Sequence, residues 1–218
     1  MSFVTIERKV LAKNDEIARL NRQALKAAGT FSINLVSSPG AGKTALLECT
    51  VDGLRNRVPL SVIEGDVQTD FDAQRVAKHG VPVVQIVTNG GCHLEAKLVQ
   101  DALSQLDLRG VELLVIENVG NLVCPASFDL GEDMKVVVLS TTEGDDKPLK
   151  YPAMFRNAAA LVINKIDLLP HVDCDMAAMR RRALQINPAL RVFETSCKTG
   201  MGIAEWCAWL EQQVRLVR

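Results

Sequence analysis

Ser37-Ser38-Pro39-Gly40-Ala41-Gly42-Lys43-Thr44 follows the apolar run Phe31-Ser32-Ile33-Asn34-Leu35-Val36 and precedes a helical pattern. Those residue types in that order make a phosphate cradle. Gly40, Ala41 and Gly42 form a turn whose backbone N–H groups face inward, and the positive end of the next helix points at the same place. Lys43 reaches the β- and γ-phosphates, and the Thr44 hydroxyl is a ligand for Mg²⁺. The strict pattern wants glycine six residues before the lysine, where this chain carries Ser37. The bland alternative is a glycine-rich turn with an incidental lysine, and the flanking strand and helix speak against it.

A second constellation chooses the base. Asn164-Lys165-Ile166-Asp167 stands after the apolar run Leu161-Val162-Ile163. A carboxylate at Asp167 accepts both the N1–H and the N2 amino group of guanine, a paired donor edge that adenine lacks. Asn164 is placed to tie this loop to the phosphate cradle, and the Lys165 stem to lie on the ring face. The four residues alone also suit a helix-capping loop. Ser196-Cys197-Lys198-Thr199-Gly200, after the last strand, resembles a segment whose backbone contacts the guanine oxygen. Three such segments in order, each at a strand end, point to GTP and GDP.

Acids complete the phosphate side. Glu117 ends Leu113-Leu114-Val115-Ile116 and is the expected Mg²⁺-shell acid, with a solvated strand-end carboxylate as the alternative. Gly120 follows in Asn118-Val119-Gly120-Asn121, where it lets the loop sense the γ-phosphate. Asp66, in Glu64-Gly65-Asp66-Val67-Gln68-Thr69-Asp70, is the candidate for a Mg²⁺-water ligand or for orienting the attacking water. Asp70 and Asp72 compete for that role, and Asp70 equally suits a helix N-cap.

A third chemistry lies nearby. Cys92-His93 closes Thr88-Asn89-Gly90-Gly91, and Cys124 lies seven residues beyond Glu117. Thiolate and imidazole together suit Zn²⁺ or Ni²⁺. Three ligands fall short of a closed four-coordinate site, so the centre is open, completed by another group or shared across a two-fold axis. Two small buried thiols beside an incidental histidine fit the spacing equally well. Cys49, Cys174, Cys197 and Cys207 have no such company and read as small apolar residues, while His79 and His171 read as surface or capping groups.

Positioning these groups takes an alternation of elements. Strands are expected at 31–36, 61–64, 81–87, 113–117, 135–140, 161–164 and 191–195. Helices are expected at 44–57, 70–78, 94–106, 149–156, 173–186 and 203–214. Continuous apolar strands between amphipathic helices give parallel βαβ units with right-handed crossovers, hence an α/β doubly wound, mostly parallel sheet of about seven strands. Ligands in such sheets sit at the carboxyl ends of the strands. Residues 7–28 read as a leading helix on the domain edge, with Val10, Ile17, Leu20, Ala24, Leu25 and Ala28 on one face and Gly29 as its stop. The expected division is a helical extension over 1–29 and one nucleotide-binding domain over 30–218, with 118–133 and 141–150 as functional loops.

With 218 residues, 48% of them apolar, the chain fills one full-sized α/β core. A net charge of -1 gives no broad surface for nucleic acid or membrane. No signal peptide and no membrane-spanning run is read, so six cysteines are expected as reduced thiols in a cytoplasm.

Together these runs resemble the HypB family of nickel-insertion GTPases over essentially the whole chain. The family-specific stretches are Gly90-Gly91-Cys92-His93-Leu94 and Glu117-Asn118-Val119-Gly120-Asn121-Leu122-Val123-Cys124-Pro125, followed by Glu143-Gly144-Asp145-Asp146-Lys147-Pro148-Leu149-Lys150-Tyr151-Pro152. The resemblance implies a P-loop G protein with slow GTP hydrolysis. It makes Cys92, His93 and Cys124 ligands of a nickel or zinc site between protomers, and implies a homodimer favoured by GTP. It also implies the metallochaperone HypA and a hydrogenase large-subunit precursor as partners. Some members carry an amino-terminal cysteine motif or a histidine-rich segment. Here the first cysteine is Cys49 and the chain holds three histidines, so metal function falls to the Cys92–Cys124 site. Rival readings are a nickel-insertion GTPase for urease, whose usual Cys-Pro-His this chain lacks, and a zinc-pinned dimer that holds nucleotide with negligible turnover. A small-molecule kinase on the same P-loop is disfavoured by the guanine box.

Overall fold

The computed structural model describes residues 5–217, with side chains from residue 11 onward. One seven-stranded sheet in the order β3-β2-β4-β1-β5-β6-β7 organises them. Its strands are β1 (Phe31–Ser37), β2 (Leu60–Asp66), β3 (Val83–Val87), β4 (Leu113–Glu117), β5 (Met134–Ser140), β6 (Ala158–Asn164) and β7 (Arg191–Glu194). Every pairing is parallel, where the sequence led us to expect a mostly parallel sheet. The uninterrupted Val, Ile and Leu runs are the reason: strands covered by helices on both faces have no solvent face to alternate with.

Helices α2 (Lys43–Leu54), α3 (Phe71–Ala77) and α8 (Ile203–Val217) cover one face. They enclose a core of Leu46, Leu47, Val51, Val76, Trp206 and Leu210 with Ile33, Leu35, Val62, Val115 and Val138. Trp206 is fully buried because its indole N–H donates to Thr50 Oγ1 at 2.8 Å. Helices α6 (Pro152–Arg156) and α7 (Met176–Ile186) cover the β5–β7 half of the opposite face through Met154, Phe155 and Met179. Asp175 starts α7 by accepting from the Ala178 N–H at 2.8 Å. The short helix expected at 149–156 is two helices, α5 (Lys147–Lys150) and α6, interrupted at Tyr151 because Pro152 disfavours a helical residue before it.

The β2–β4 half of that face is covered by α1 (Thr5–Ala28) and α4 (Ala96–Leu103). The face of α1 that the structure buries differs from the expected one. Asn14, Ala18, Asn21 and Leu25 point inward, Ile17 is half-buried, and Leu20, Ala24 and Ala28 are exposed; the Val10 side chain lies outside the described residues. Two buried asparagines are tolerated because each is hydrogen-bonded. Asn21 Nδ2 donates to the carbonyls of Ala96 and Leu130 at 2.8 and 2.9 Å. Asn14 Nδ2 donates to the Asp129 carbonyl at 2.7 Å, and its Oδ1 accepts from the Ala96 N–H at 2.8 Å. The leading helix is thereby tied to both loop regions that flank Cys92 and Cys124. Among the described residues no helix is long and apolar enough to cross a membrane.

Candidate functional site

β1 lies between β4 and β5, so the loop after it opens at the carboxyl edge with the ends of both neighbours beside it. Gly42, immediately before α2, has φ +96°, and a Cβ there would come within 2.6 Å of Asn164 Nδ2. Glycine is required at this position by both backbone and space. Lys43 Nζ donates to Ser37 Oγ at 2.9 Å, which gives the departure from the strict pattern a use: the serine hydroxyl holds the lysine across the loop. A cleft of about 410 Å³ lies against this loop, bordered by Gly40, Lys43, Thr44, Asp66, Glu117 and Gly120. That volume is within the range of small-ligand sites.

The wall of the cleft carries two buried carboxyls. Glu117 ends β4, and Thr44 Oγ1 donates to its Oε1 at 2.8 Å. Glu64 occupies the paired register position on β2, so the two side chains emerge side by side. Both are about 2% exposed, and one oxygen of each is buried without a hydrogen-bond partner. Burial, then the neighbouring Glu117, pushes the Glu64 carboxyl far above the usual range, and burial raises Glu117 as well. A hydroxyl and two partly orphaned carboxyls are hard oxygen donors, and this set fits Mg²⁺. Asp66 and Asp72 border the same cleft, whereas Asp70 is exposed and accepts from Gln74 Nε2 at 2.8 Å. Asp66 Oδ1 accepts from the N–H groups of Thr69 and Gln68 at 2.7 and 2.9 Å. Burial raises the Asp66 pKa, those N–H bonds outweigh it, and the net shift is downward.

On the other side of the cradle the base box is wired to the phosphate loop. Asn164 Nδ2 donates to the Ala41 carbonyl at 3.3 Å, and Lys165 Nζ donates to the Gly40 carbonyl at 2.6 Å. Asn164 Oδ1 accepts from Thr195 Oγ1 at 3.3 Å and from the Cys197 N–H at 3.4 Å. Ser196 Oγ donates to Asp167 Oδ1 at 2.6 Å. The ends of β6 and β7 therefore bring Asn164, Lys165, Asp167, Ser196 and Cys197 to one locus, with Lys198 next in the chain.

The third cluster also assembles. Cys92 and Cys124, 32 residues apart, place their sulfurs 3.0 Å from one another, and Cys92 Sγ is 3.5 Å from His93 Nδ1. One ligand atom from each of the three residues lies within 4.8 Å of the others. Burial lowers the His93 pKa, which favours the neutral imidazole that metals bind, and His93 Nε2 is buried without a partner. The ring is fixed by Phe128, with centroids 4.0 Å apart. Cys92 is exposed, so the cluster opens outward. Two thiols, an imidazole and an open side fit a soft or borderline cation such as Ni²⁺ or Zn²⁺.

Several groups are absent from the sequence reading. Glu64 stands in its quoted Glu-Gly-Asp run without a role; the available signal is an acid inside an otherwise apolar strand, as at Glu117. Cys49 is not without company: its sulfur donates to the Cys197 carbonyl at 3.7 Å. Cys197 Sγ in turn lies 3.3 Å from Asn164 Oδ1. A separation of 148 residues hides that pair from any local pattern. His79 closes the end of α3 and pairs with Asp52 at 2.9 Å, and His171 ends an exposed turn.

Known proteins similar to this chain include members of one family. The CobW/HypB/UreG nucleotide-binding domain family matches residues 31–194. The hydrogenase maturation factor HypB of Azotobacter vinelandii is 55% identical over 97% of this chain and 70% of that one. A probable HypB of Methanocaldococcus jannaschii is 42% identical over 100% of this chain and 99% of that one. The crystal structure of HypB from Helicobacter pylori in complex with nickel superposes with a TM-score of 0.89 at 38% identity, covering 93% of this chain and 95% of that one. The chain therefore belongs to the HypB family of hydrogenase maturation factors, built on the CobW/HypB/UreG nucleotide-binding domain.

Proposed function

We propose that this chain is a slow GTPase that holds Ni²⁺ and delivers it toward the large-subunit precursor of a [NiFe]-hydrogenase. The observation that carries this reading is that the loop beginning at Glu117, the end of β4, runs only six residues before it reaches Cys124. A change at the phosphate end is thereby mechanically joined to a thiol of the metal cluster. Lys43 and the inward N–H groups of the 40–44 turn bind the β/γ-phosphates, and Asp167 with Ser196-Cys197-Lys198 selects guanine. Thr44 and Glu117 hold Mg²⁺, with Asp66 as a further oxygen for its water shell. Bound Mg²⁺ supplies positive charge to the phosphate oxygens as it does across P-loop proteins.

Nickel is the cargo, and Zn²⁺ is the competing occupant of the same thiol–imidazole set. Three ligands with Cys92 exposed leave the coordination incomplete. A second copy completes it in a homodimer favoured by GTP, with HypA exchanging metal at that site. Residues 30–218 are the GTPase domain and 1–29 its helical extension. The test is phosphate release from GTP and from ATP, with and without Ni²⁺, together with capture of the large-subunit precursor. The expected result is slow turnover of GTP, none of ATP, and capture dependent on the GTP state. No turnover of GTP overturns the reading in favour of a dimer that keeps nucleotide as a structural ligand.

A further inference from the structure

The Cys92-His93 loop has no regular secondary structure, yet its sulfur faces Cys124 at 3.0 Å. Thr88 Oγ1 donates to the Gly91 carbonyl at 2.7 Å and shapes the start of the loop, while contacts from outside hold its Cys92–Leu94 end. Two asparagines of the Glu117–Cys124 segment make those contacts. Asn121 Nδ2 donates to the Cys92 carbonyl at 3.2 Å. Asn121 Oδ1 accepts from the Val123 N–H at 2.8 Å. That second bond fixes the amide orientation, so the NH₂ group must face Cys92. Asn118 Oδ1 accepts from the Leu94 N–H at 3.0 Å, and its Nδ2 donates to Asn34 Oδ1 at 3.2 Å inside the sheet.

The loop is therefore gripped on both sides of His93. Between the two grips, Gly120 lies against the phosphate loop: a Cβ there would come within 3.0 Å of Pro39 Cα. We propose that Asn121, with Asn118 behind it, is the positioning residue of the metal centre, clamping the Cys92 backbone to the segment that carries Cys124 and touches the phosphate loop. Neither asparagine is a ligand. Their part is to orient the ligands, as groups behind a first coordination shell commonly do. Asn118 is buried and Asn121 only half-buried, so Asn121 is the position to alter without endangering the fold.

This inference rests on the metal reading above, and the experiment separates the two. Zn²⁺ affinity is measured by chelator competition in GDP-bound wild type and in Asn121→Ala, Asn121→Ser and Cys124→Ala, with Co²⁺ spectra and melting temperature alongside. Serine can still accept from the Val123 N–H but is too short to reach the Cys92 carbonyl. Both Asn121 variants are expected to lose about tenfold in Zn²⁺ affinity. Their Co²⁺ bands should shift, while GDP affinity and melting temperature measured without metal stay at wild-type values. Wild-type affinity in both Asn121 variants, with Cys124→Ala deficient, overturns the clamp and leaves the metal site standing. Recovery in Asn121→Ser alone also overturns it, since the local turn would then be what matters. Undiminished affinity in Cys124→Ala overturns the metal site and the clamp with it.

Discussion

Thr44 Oγ1 donates to Glu117 Oε1 at 2.8 Å, joining the first turn of α2 to the end of β4 across the phosphate cleft. Glu64 stands beside that bond in register with Glu117, so two carboxyls share one buried locus. Without a cation both cannot ionise cheaply, and burial beside Glu117 holds the Glu64 carboxyl well above the usual carboxylate range. A raised folded-state pKa gives stability that is full below the unfolded value and is lost as pH rises toward the folded one. In nucleotide- and metal-free protein, Glu64→Gln should therefore flatten the fall of stability between pH 6 and 9. The gap from wild type should widen with pH by at most about 1.4 kcal/mol per unit. Parallel curves from denaturant melts at several pH values would show that the pair does not share a proton.

The lysine of the cradle makes the simplest kinetic prediction. Lys43 reaches across the loop to Ser37 and lines the cleft where the β/γ-phosphates are expected. Lys43→Ala should cut GTP hydrolysis at saturating nucleotide by tenfold or more, about 1.4 kcal/mol of transition-state stabilisation. Wild-type turnover in that variant would remove the phosphate assignment.

The proposed base reader is Asp167, held by Ser196 Oγ at 2.6 Å. Asp167→Asn replaces one acceptor oxygen with a donor, so the guanine edge meets N–H against N–H. Xanthine has a carbonyl where guanine has the amino group and regains the match. Competition binding should show preference moving from GTP toward XTP. An unchanged GTP preference would make Asn164–Asp167 a structural loop only.

Asn21 is buried and satisfies two carbonyls on different segments, Ala96 and Leu130. Asn21→Ala leaves both without that donor and should destabilise the protein by about 1–3 kcal/mol in urea unfolding. A loss well below that range would mean that Asn14 and the apolar side chains hold α1 without help from Asn21.

The sequence showed the frame because continuous apolar strands between amphipathic helices allow few arrangements. The cradle was legible because Gly42, Lys43 and Thr44 are nearly the only residue types that serve there. α1 was misjudged for a physical reason. Counting apolar residues by helical period discards Asn14 and Asn21, the two buried side chains whose hydrogen bonds anchor the helix. Glu64 stayed hidden because its meaning depends on register with Glu117 on a neighbouring strand. Cys92, His93 and Cys124 were legible as a group chiefly through resemblance; spacing alone left them balanced between ligands and buried thiols. Asn118 and Asn121 stand in the same Glu117–Cys124 run, yet their hydrogen bonds to the Cys92 carbonyl and the Leu94 N–H join segments that no local pattern records.

The nucleotide and metal sites are expected to be coupled through residues 117–124. A γ-phosphate that draws on Glu117 or Gly120 must move Cys124 relative to Cys92 and His93 unless the intervening residues absorb the change. The most direct measurement is Ni²⁺ or Zn²⁺ affinity by chelator competition in the GDP state and in a non-hydrolysable GTP-analogue state. The two affinities should differ by about 1–3 kcal/mol, and bound metal should shift nucleotide affinity by the same factor. Equal metal affinities in the two nucleotide states would contradict the account and leave two independent sites on one fold.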